Sequence, residues 1–184
     1  MNRIPGAAVL ATAATLIVAC AERTPLDPAR PGGAPLASAR ADLGPCADSI
    51  AVPAGHRLAR RLYADGVQVY RWNGATWAFV APEAELFADA AMHGRVGTHF
   101  AGPTWRTTGG SAVVAAAVSR CTPDAGAIPW LLLAATGHEG GGYFRHVAFI
   151  QRVRTTGGQA PAGPGPYAGA EVRVPYTAEY LYFE

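Results

Sequence analysis

The stretch Val172-Arg173-Val174-Pro175-Tyr176-Thr177-Ala178-Glu179-Tyr180-Leu181-Tyr182-Phe183 alternates strictly along most of its length. Val172, Val174, Tyr176, Ala178, Tyr180 and Tyr182 share one parity, and Arg173, Pro175, Thr177 and Glu179 take the other. Successive side chains of a strand point to opposite faces, so this is a strand of a sheet with one covered face. An aromatic final strand also ends outer-membrane barrels. Those need at least about eight strands of roughly ten residues, and the body of this chain is cut into shorter, interrupted pieces. The membrane-barrel reading is therefore set aside.

Upstream, the same kind of signal recurs. Arg57–Tyr63 leads into Asp65-Gly66, a hairpin dipeptide, with Val67–Trp72 as the return strand. Asn73-Gly74 marks a second turn and Thr76–Val80 a third strand. Glu83–Met92 fits either a short helix after Pro82 or a strand turning at His93-Gly94-Arg95 into Val96–Phe100, and the reading leans to the hairpin. Further strands fall at Ser111–Ser119, Ile128–Ala135 and Tyr143–Arg154. Ser111–Ser119 is small and apolar at both parities, which predicts a strand covered on both faces. The unbroken run Ile128–Leu133 predicts a buried strand. Seven or more strands in about 140 residues, joined by short turns, predict a mainly β, single-domain antiparallel β-sandwich or closed β-barrel with few or no helices.

Composition agrees. Among 184 residues there are 22 Gly and 15 Pro, a turn-rich balance, and charged residues are only 15%. All 15 basic residues are Arg. The absence of Lys excludes P-loop, Schiff-base, pyridoxal-phosphate and Ser-x-x-Lys chemistry. From residue 41 onward 11 Arg face 11 Asp or Glu. This neutral body has no concentrated basic footprint, so nucleic acid is not an expected partner. Arg152 and Arg154, at strand spacing, read as a pair on one solvated face.

The N-terminus reads as an export signal. Arg3 gives a short positive start, Ala7–Ala19 an uncharged and mostly apolar run, and Ile17-Val18-Ala19-Cys20 matches the bacterial lipobox. The run is too short to span a bilayer stably. Residues 1–19 are thus expected to be a lipoprotein signal peptide and Cys20 the acylated residue. Residues 20–40, rich in Pro and Ala, form a tether, and residues 41–184 the β-rich domain. Ala21 in place of Asp points to the outer membrane, facing the periplasm, in a Gram-negative cell. With Cys20 acylated, Cys46 and Cys121 remain as an even pair in an oxidising compartment. They form either a disulfide, the favoured reading, or two free thiols.

Several phrases carry a resemblance. They are APEAELF (Ala81–Phe87), VGTHFAGPTW (Val96–Trp105), Gly110-Ser111 with Val113, AIPWLLL (Ala127–Leu133), IQRVRTTGGQAP (Ile150–Pro161) and VPYTAEYLYF (Val174–Phe183). In this order they resemble a family of exported bacterial and fungal proteins known as domain of unknown function 3455. The resemblance implies a compact exported domain over roughly Leu58–Phe183 and supplies no catalytic residues. Some fungal members carry a malate-dehydrogenase label, but this chain lacks the βαβ unit that binds a dinucleotide. As the family pattern goes, a Cys often stands where Trp72 is and another within residues 164–167. Both are missing here, so a disulfide of the relatives is lost, with Cys46 and Cys121 as a candidate replacement.

His99, within Gly97–Trp105, is the leading candidate for chemistry. Small neighbours would let a ligand approach, Trp105 would form an apolar wall, and an imidazole can act as acid, base or metal ligand. The competing reading is a structural His bonded inside a turn against a packed Trp. No metal site is expected, since His56, His93, His99, His138 and His146 show no zinc-binding spacing. No cofactor signature is present. His138-Glu139-Gly140-Gly141-Gly142 lacks a matching Gly-x-Ser-x-Gly, and Gly163–Ala168 fits GxGxxA by letters only. Ser111 has no His or Asp nearby in sequence. Glu83, Glu85 and Asp89 could assemble a carboxylate pair but read as solvated charges. Trp72, Trp77, Trp105 and Trp130 are mostly core, with one or two available to a surface groove.

The expectation is a lipid-anchored envelope domain acting as a binding or structural module. Its partners would be the membrane, through the lipid, and a small molecule, a glycan or an envelope protein. The alternative is an envelope hydrolase or isomerase using His99. In a bacterial host, Cys20→Ser is expected to abolish incorporation of labelled palmitate and leave an unprocessed precursor. Labelling that survives the substitution would refute the lipid site.

Overall fold

The computed structural model describes Met1 and residues 42–184. The expected signal segment, Cys20 and the tether lie outside the described residues. Eight strands form one closed antiparallel barrel: β1 (Leu58–Trp72), β2 (Trp77–Phe87), β3 (Arg95–Phe100), β4 (Thr104–Thr107), β5 (Ala112–Cys121), β6 (Trp130–Glu139), β7 (Phe149–Gly157) and β8 (Glu171–Phe183). Each strand pairs with the next, and β8 returns to pair with β1 from Leu58↔Phe183 to Arg71↔Glu171. Of the two architectures expected, the closed barrel is the one formed. The only helical element among the described residues is a 3-10 turn at Gly44–Cys46.

The parity of β8 explains the closure. Tyr176, Ala178, Tyr180 and Tyr182 point into the barrel, where they meet Leu62, Ala64, Leu86, Trp105, Val113, Leu133 and Ile150. The opposite parity is solvent-facing only at the start of the strand. Its later members, Leu181 and Phe183, are covered from outside by a second cluster with Cys46, Ile50, Leu58, Leu132 and Val153. The segment before β1 supplies this cover. It is held by the Cys46–Cys121 disulfide, whose Cα atoms are 5.6 Å apart. Gln151 also donates a 2.7 Å hydrogen bond to the Ile50 carbonyl. The bridge closes a loop of sequence separation 75, which in the chain-entropy picture stabilises by about 4 kcal/mol. All eight strands, both core clusters and the Cys46–Cys121 bridge fall within residues 42–184, so this range holds every described contact that closes the barrel.

The strand count reaches the minimum of an outer-membrane barrel, so strand number and length do not exclude that reading. Sidedness does. The outer face carries the ion pairs Arg71–Glu171, Glu83–Arg173, Glu85–Arg95 and Arg106–Glu139, where a membrane barrel has an apolar band.

Asp65-Gly66 is not a turn, and β1 runs through it unbroken. Gly66 pairs with Ala84, and a Cβ there would collide with the Glu83 carbonyl and the Ala84 backbone. The glycine therefore serves close approach between strands, which local dipeptide statistics cannot separate from a turn. Gly97 in β3 does the same against Arg106 and Thr107 of β4. The Asn73 turn does form: Asn73 Oδ1 accepts from the amides of Ala75 and Thr76 at 2.9 and 2.8 Å. Glu83–Phe87 continues β2 into a hairpin with β3. Ala116, Ala117 and Val118 of β5 are exposed, so this strand is covered on both faces only in its first half. Tyr143–Val147 is a turn, and β7 begins at Phe149.

Across the closing seam, the carboxylate of Glu179 (β8) is buried between Arg61 (β1) and Arg154 (β7), at 3.0 and 2.8 Å. Arg154 reaches it from a left-handed backbone conformation, φ 49°, at a bulge in β7. That bulge splits the expected Arg152–Arg154 pair. Arg154 turns outward to Glu179, while Arg152 keeps the inward parity of Ile150. At the other end, the loop around Gly165 packs on Trp72, where a Cβ on the glycine would stand 2.5 Å from the Trp72 Cβ. The two places where the resemblance implies Cys are thus neighbours here, joined by packing.

Gly97→Ala is expected to cost about 3 kcal/mol, because its methyl meets backbone and not a yielding side chain. Gly163→Ala, which meets nothing within 4 Å, should change stability by less than about 0.5 kcal/mol. Urea unfolding of the two variants checks both values.

Candidate functional site

The interior of the barrel is not filled throughout. A cavity of about 490 Å³ lies at one end, lined by His99, Trp105, Tyr180, Arg152, Leu131 and Leu133 among others. Such a volume is in the range of small-molecule sites. Phe79, Val80 and Ala117, at its mouth, are exposed.

His99 and Trp105 face each other across the β3–β4 hairpin, in register as Cα partners. Their rings stack at 4.2 Å with an interplanar angle of 8°. Tyr180 meets both edge-on, at 5.3 Å from each. The His99 ring is fixed by its Nδ1–H, which donates to the Thr104 carbonyl at 2.9 Å. That bond leaves Nε2 as a lone-pair acceptor. Burial drives the His99 pKa down to about 3, more than the Thr104 bond raises it, and the nearby Arg152 cation lowers it further. The ring is therefore neutral at any physiological pH. Among the described residues no carboxylate and no second His lines the cavity.

Strand spacing in the sequence places Arg152 on a solvated face, yet it lines the cavity. Its Nε and Nη2 both donate to the Pro129 carbonyl, at 3.1 and 2.7 Å. Thr155 and Gln159 hold the two preceding carbonyls, of Ile128 and Ala127, each at 2.6 Å. One stretch of β7 and its following loop thus clamps the segment that forms the cavity wall. Tyr70, a further lining residue, donates to the Gly158 carbonyl at 2.7 Å. The usable sequence signal for Arg152 was parity, since it is two residues from the inward Ile150.

Three lining side chains carry a buried polar atom with no hydrogen-bond partner among the described residues: Gln68 Nε2, Trp105 Nε1 and Tyr180 Oη. Tyr176 Oη is a fourth such atom, on the same face of β8. Tyr180 is near enough to Tyr176, Arg152 and Trp105 to feel them, but none stands at hydrogen-bonding distance and angle. Burial pushes the Tyr180 hydroxyl pKa up, against a smaller lowering by Arg152.

The other candidates are not brought into this site. His138 Nε2 is bonded to the Val147 carbonyl at 2.8 Å, His93 lies beside Asp89 at 3.4 Å on the surface, and His56 packs edge-on against Phe149 at 4.8 Å. His146 is exposed. Among the described residues no three His, Cys, Asp or Glu side chains gather as a metal site would require. Ser111 Oγ accepts from the Phe144 amide at 3.0 Å. Glu83 and Glu85 pair with arginines outside the barrel. Glu139 pairs with Arg106 at 2.7 Å. Trp72 and Trp77 pack together at 5.5 Å under the Gly163–Gly165 loop, with the Trp77 indole donating to the Gly163 carbonyl at 2.8 Å.

The pH consequence has a definite sign. The unfolded His99 binds a proton near its ordinary value, and the folded one only near 3. Between those values the unfolded state holds more protons, so stability falls as pH drops below 6.5, by about 1.4 kcal/mol per pH unit from this group. His99→Phe is expected to flatten that slope, and urea unfolding from pH 7 to pH 4 measures it.

No curated protein and no solved structure matches the chain. A family model described as "Protein of unknown function (DUF3455)" matches residues 53–184, the whole barrel. Of the phrases that carry the resemblance, all but Gly110-Ser111-Val113 contribute residues to the cavity wall. With its barrel matched from before β1 to the last residue, the chain belongs to the DUF3455 family.

Proposed function

We propose that this chain is a small-molecule-binding module of the cell envelope, held to a membrane by lipid on Cys20, with the barrel cavity as its site. The observation that carries the reading is the set of buried polar atoms without partners on the wall of a cavity of about 490 Å³. An unpaired polar atom costs about 1–3 kcal/mol in a folded protein. Several at one cavity are consistent with partners that arrive with a ligand.

Catalysis by His99 finds less support. The ring is neutral, its Nδ1–H is committed to Thr104, and among the described residues no carboxylate or second His lines the cavity with it. A glycan would favour an open aromatic groove, but Trp105 is inside the barrel and the Gly163–Gly165 loop packs over Trp72 and Trp77. An enclosed, largely apolar ligand fits the walls best.

Residues 42–184, exported to a bacterial periplasm, are expected to bind the neutral fluorophore N-phenylnaphthylamine saturably and in equal molar ratio. Ala117→Trp, at an exposed mouth position, should weaken that binding about ten-fold or more with an unchanged unfolding midpoint. Absence of saturable binding, or indifference to the substitution, would remove the cavity as the site.

A further inference from the structure

We propose that the cavity takes an apolar carboxylic acid, its acid group seated against Arg152, Tyr180 and Trp105 and its apolar body directed to the mouth. This rests on the binding-module reading and specifies the ligand of that site.

The charge of the wall points to an anion. Among the described residues two arginines, Arg120 and Arg152, line the cavity, and no Asp or Glu does. Among the described residues neither arginine makes an ion pair. Every other arginine of β1, β3, β4, β7 and β8 does. Arg120 is exposed, but Arg152 is partly buried beside apolar side chains, and an uncompensated guanidinium there attracts an opposite charge more than one in open water does. Arg152 uses Nε and Nη2 on Pro129 and keeps Nη1 for another acceptor.

The polar atoms point the same way. The indole N–H of Trp105, the amide nitrogen of Gln68 and the guanidinium can only donate, and the Tyr180 hydroxyl can donate as well. Gln68 faces the Tyr176 hydroxyl, and Trp105 and Arg152 face that of Tyr180, all short of full hydrogen-bond geometry, so a group that completes these contacts from the cavity must be rich in acceptors. A carboxylate has about four lone-pair sites and one negative charge, which suits one cation and several neutral donors. A cationic or hydroxyl head would leave donors unpaired. Orientation follows from burial. Tyr180 and Trp105 are fully buried, whereas Phe79 and Val80 at the mouth are exposed and apolar. The acid therefore sits inward, and the body runs out along Leu131, Leu133 and Ile128.

The shared chemistry could come from a fatty acid or from an aromatic acid. The test uses residues 42–184, titrated calorimetrically with laurate, dodecanol, dodecylammonium and naphthylacetate. Laurate or naphthylacetate is expected to bind at least about ten-fold tighter than dodecanol, the weight of one or two charge-assisted hydrogen bonds. Dodecylammonium should bind weakest. Whichever acid binds tighter names the source, and either preference supports the proposal. Tyr180→Phe and Arg152→Gln should each weaken the acid at least about ten-fold more than they weaken dodecanol. Tyr180→Phe should also leave the unfolding midpoint equal or higher, because it removes an unpaired buried hydroxyl. A merely structural tyrosine would not show that combination, and the variant serves if Arg152→Gln disturbs the Pro129 segment. Equal affinity for acid and alcohol, or variants that weaken both alike, would overturn the head-group assignment and leave the binding module standing. Failure of all four compounds together with N-phenylnaphthylamine would overturn both.

Discussion

β8 is hydrogen-bonded along both edges, to β1 over almost its whole length and to β7 over most of it. A strand so placed cannot shift register without breaking two ladders and turning its tyrosines out of the core. Closure also removes the unpaired edges that an open sheet would present. The buried Glu179, held between Arg61 and Arg154, adds charge to this seam. Exposure there is asymmetric. The carboxylate is almost fully covered, while Arg154 is nearly half exposed. Truncating either arginine would leave charge buried at the seam, which costs more than forming the pair contributes.

Once closed, the barrel has two surfaces with different demands. The inside takes aromatic and branched side chains at most positions. The outside is ion-paired where it meets water and apolar where the Cys46–Ile50 segment lies on it. The disulfide holds this cover against β5, and so couples a segment before the barrel to the strand that ends near the cavity mouth.

The cavity wall is preorganised by backbone contacts, not by side-chain packing alone. Arg152, Thr155 and Gln159 fix three successive carbonyls, those of Pro129, Ile128 and Ala127. The His99–Trp105 stack is fixed by β3–β4 pairing and by the Thr104 carbonyl. A wall held this way loses little conformational freedom when a ligand enters, which is the condition for affinity in a small site.

Much of this was legible in the sequence. Strict alternation in Val172–Phe183 and the punctuation by Gly and Asn determined a mainly β domain, because side-chain parity is a local property of a strand. The phrases around His99, Ile128 and Ile150 determined the family. Other features depended on the neighbour across the sheet. Gly66 reads as a turn until Ala84 is placed against it, and Arg152 reads as solvated until the β7 bulge separates it from Arg154. Sandwich or barrel, and the joining of His99, Trp105, Tyr180 and Arg152 around one cavity, were decided only by tertiary structure. Closure brings β8 beside β1 and sets residues from all eight strands around one cavity, and no local pattern encodes those long-range distances.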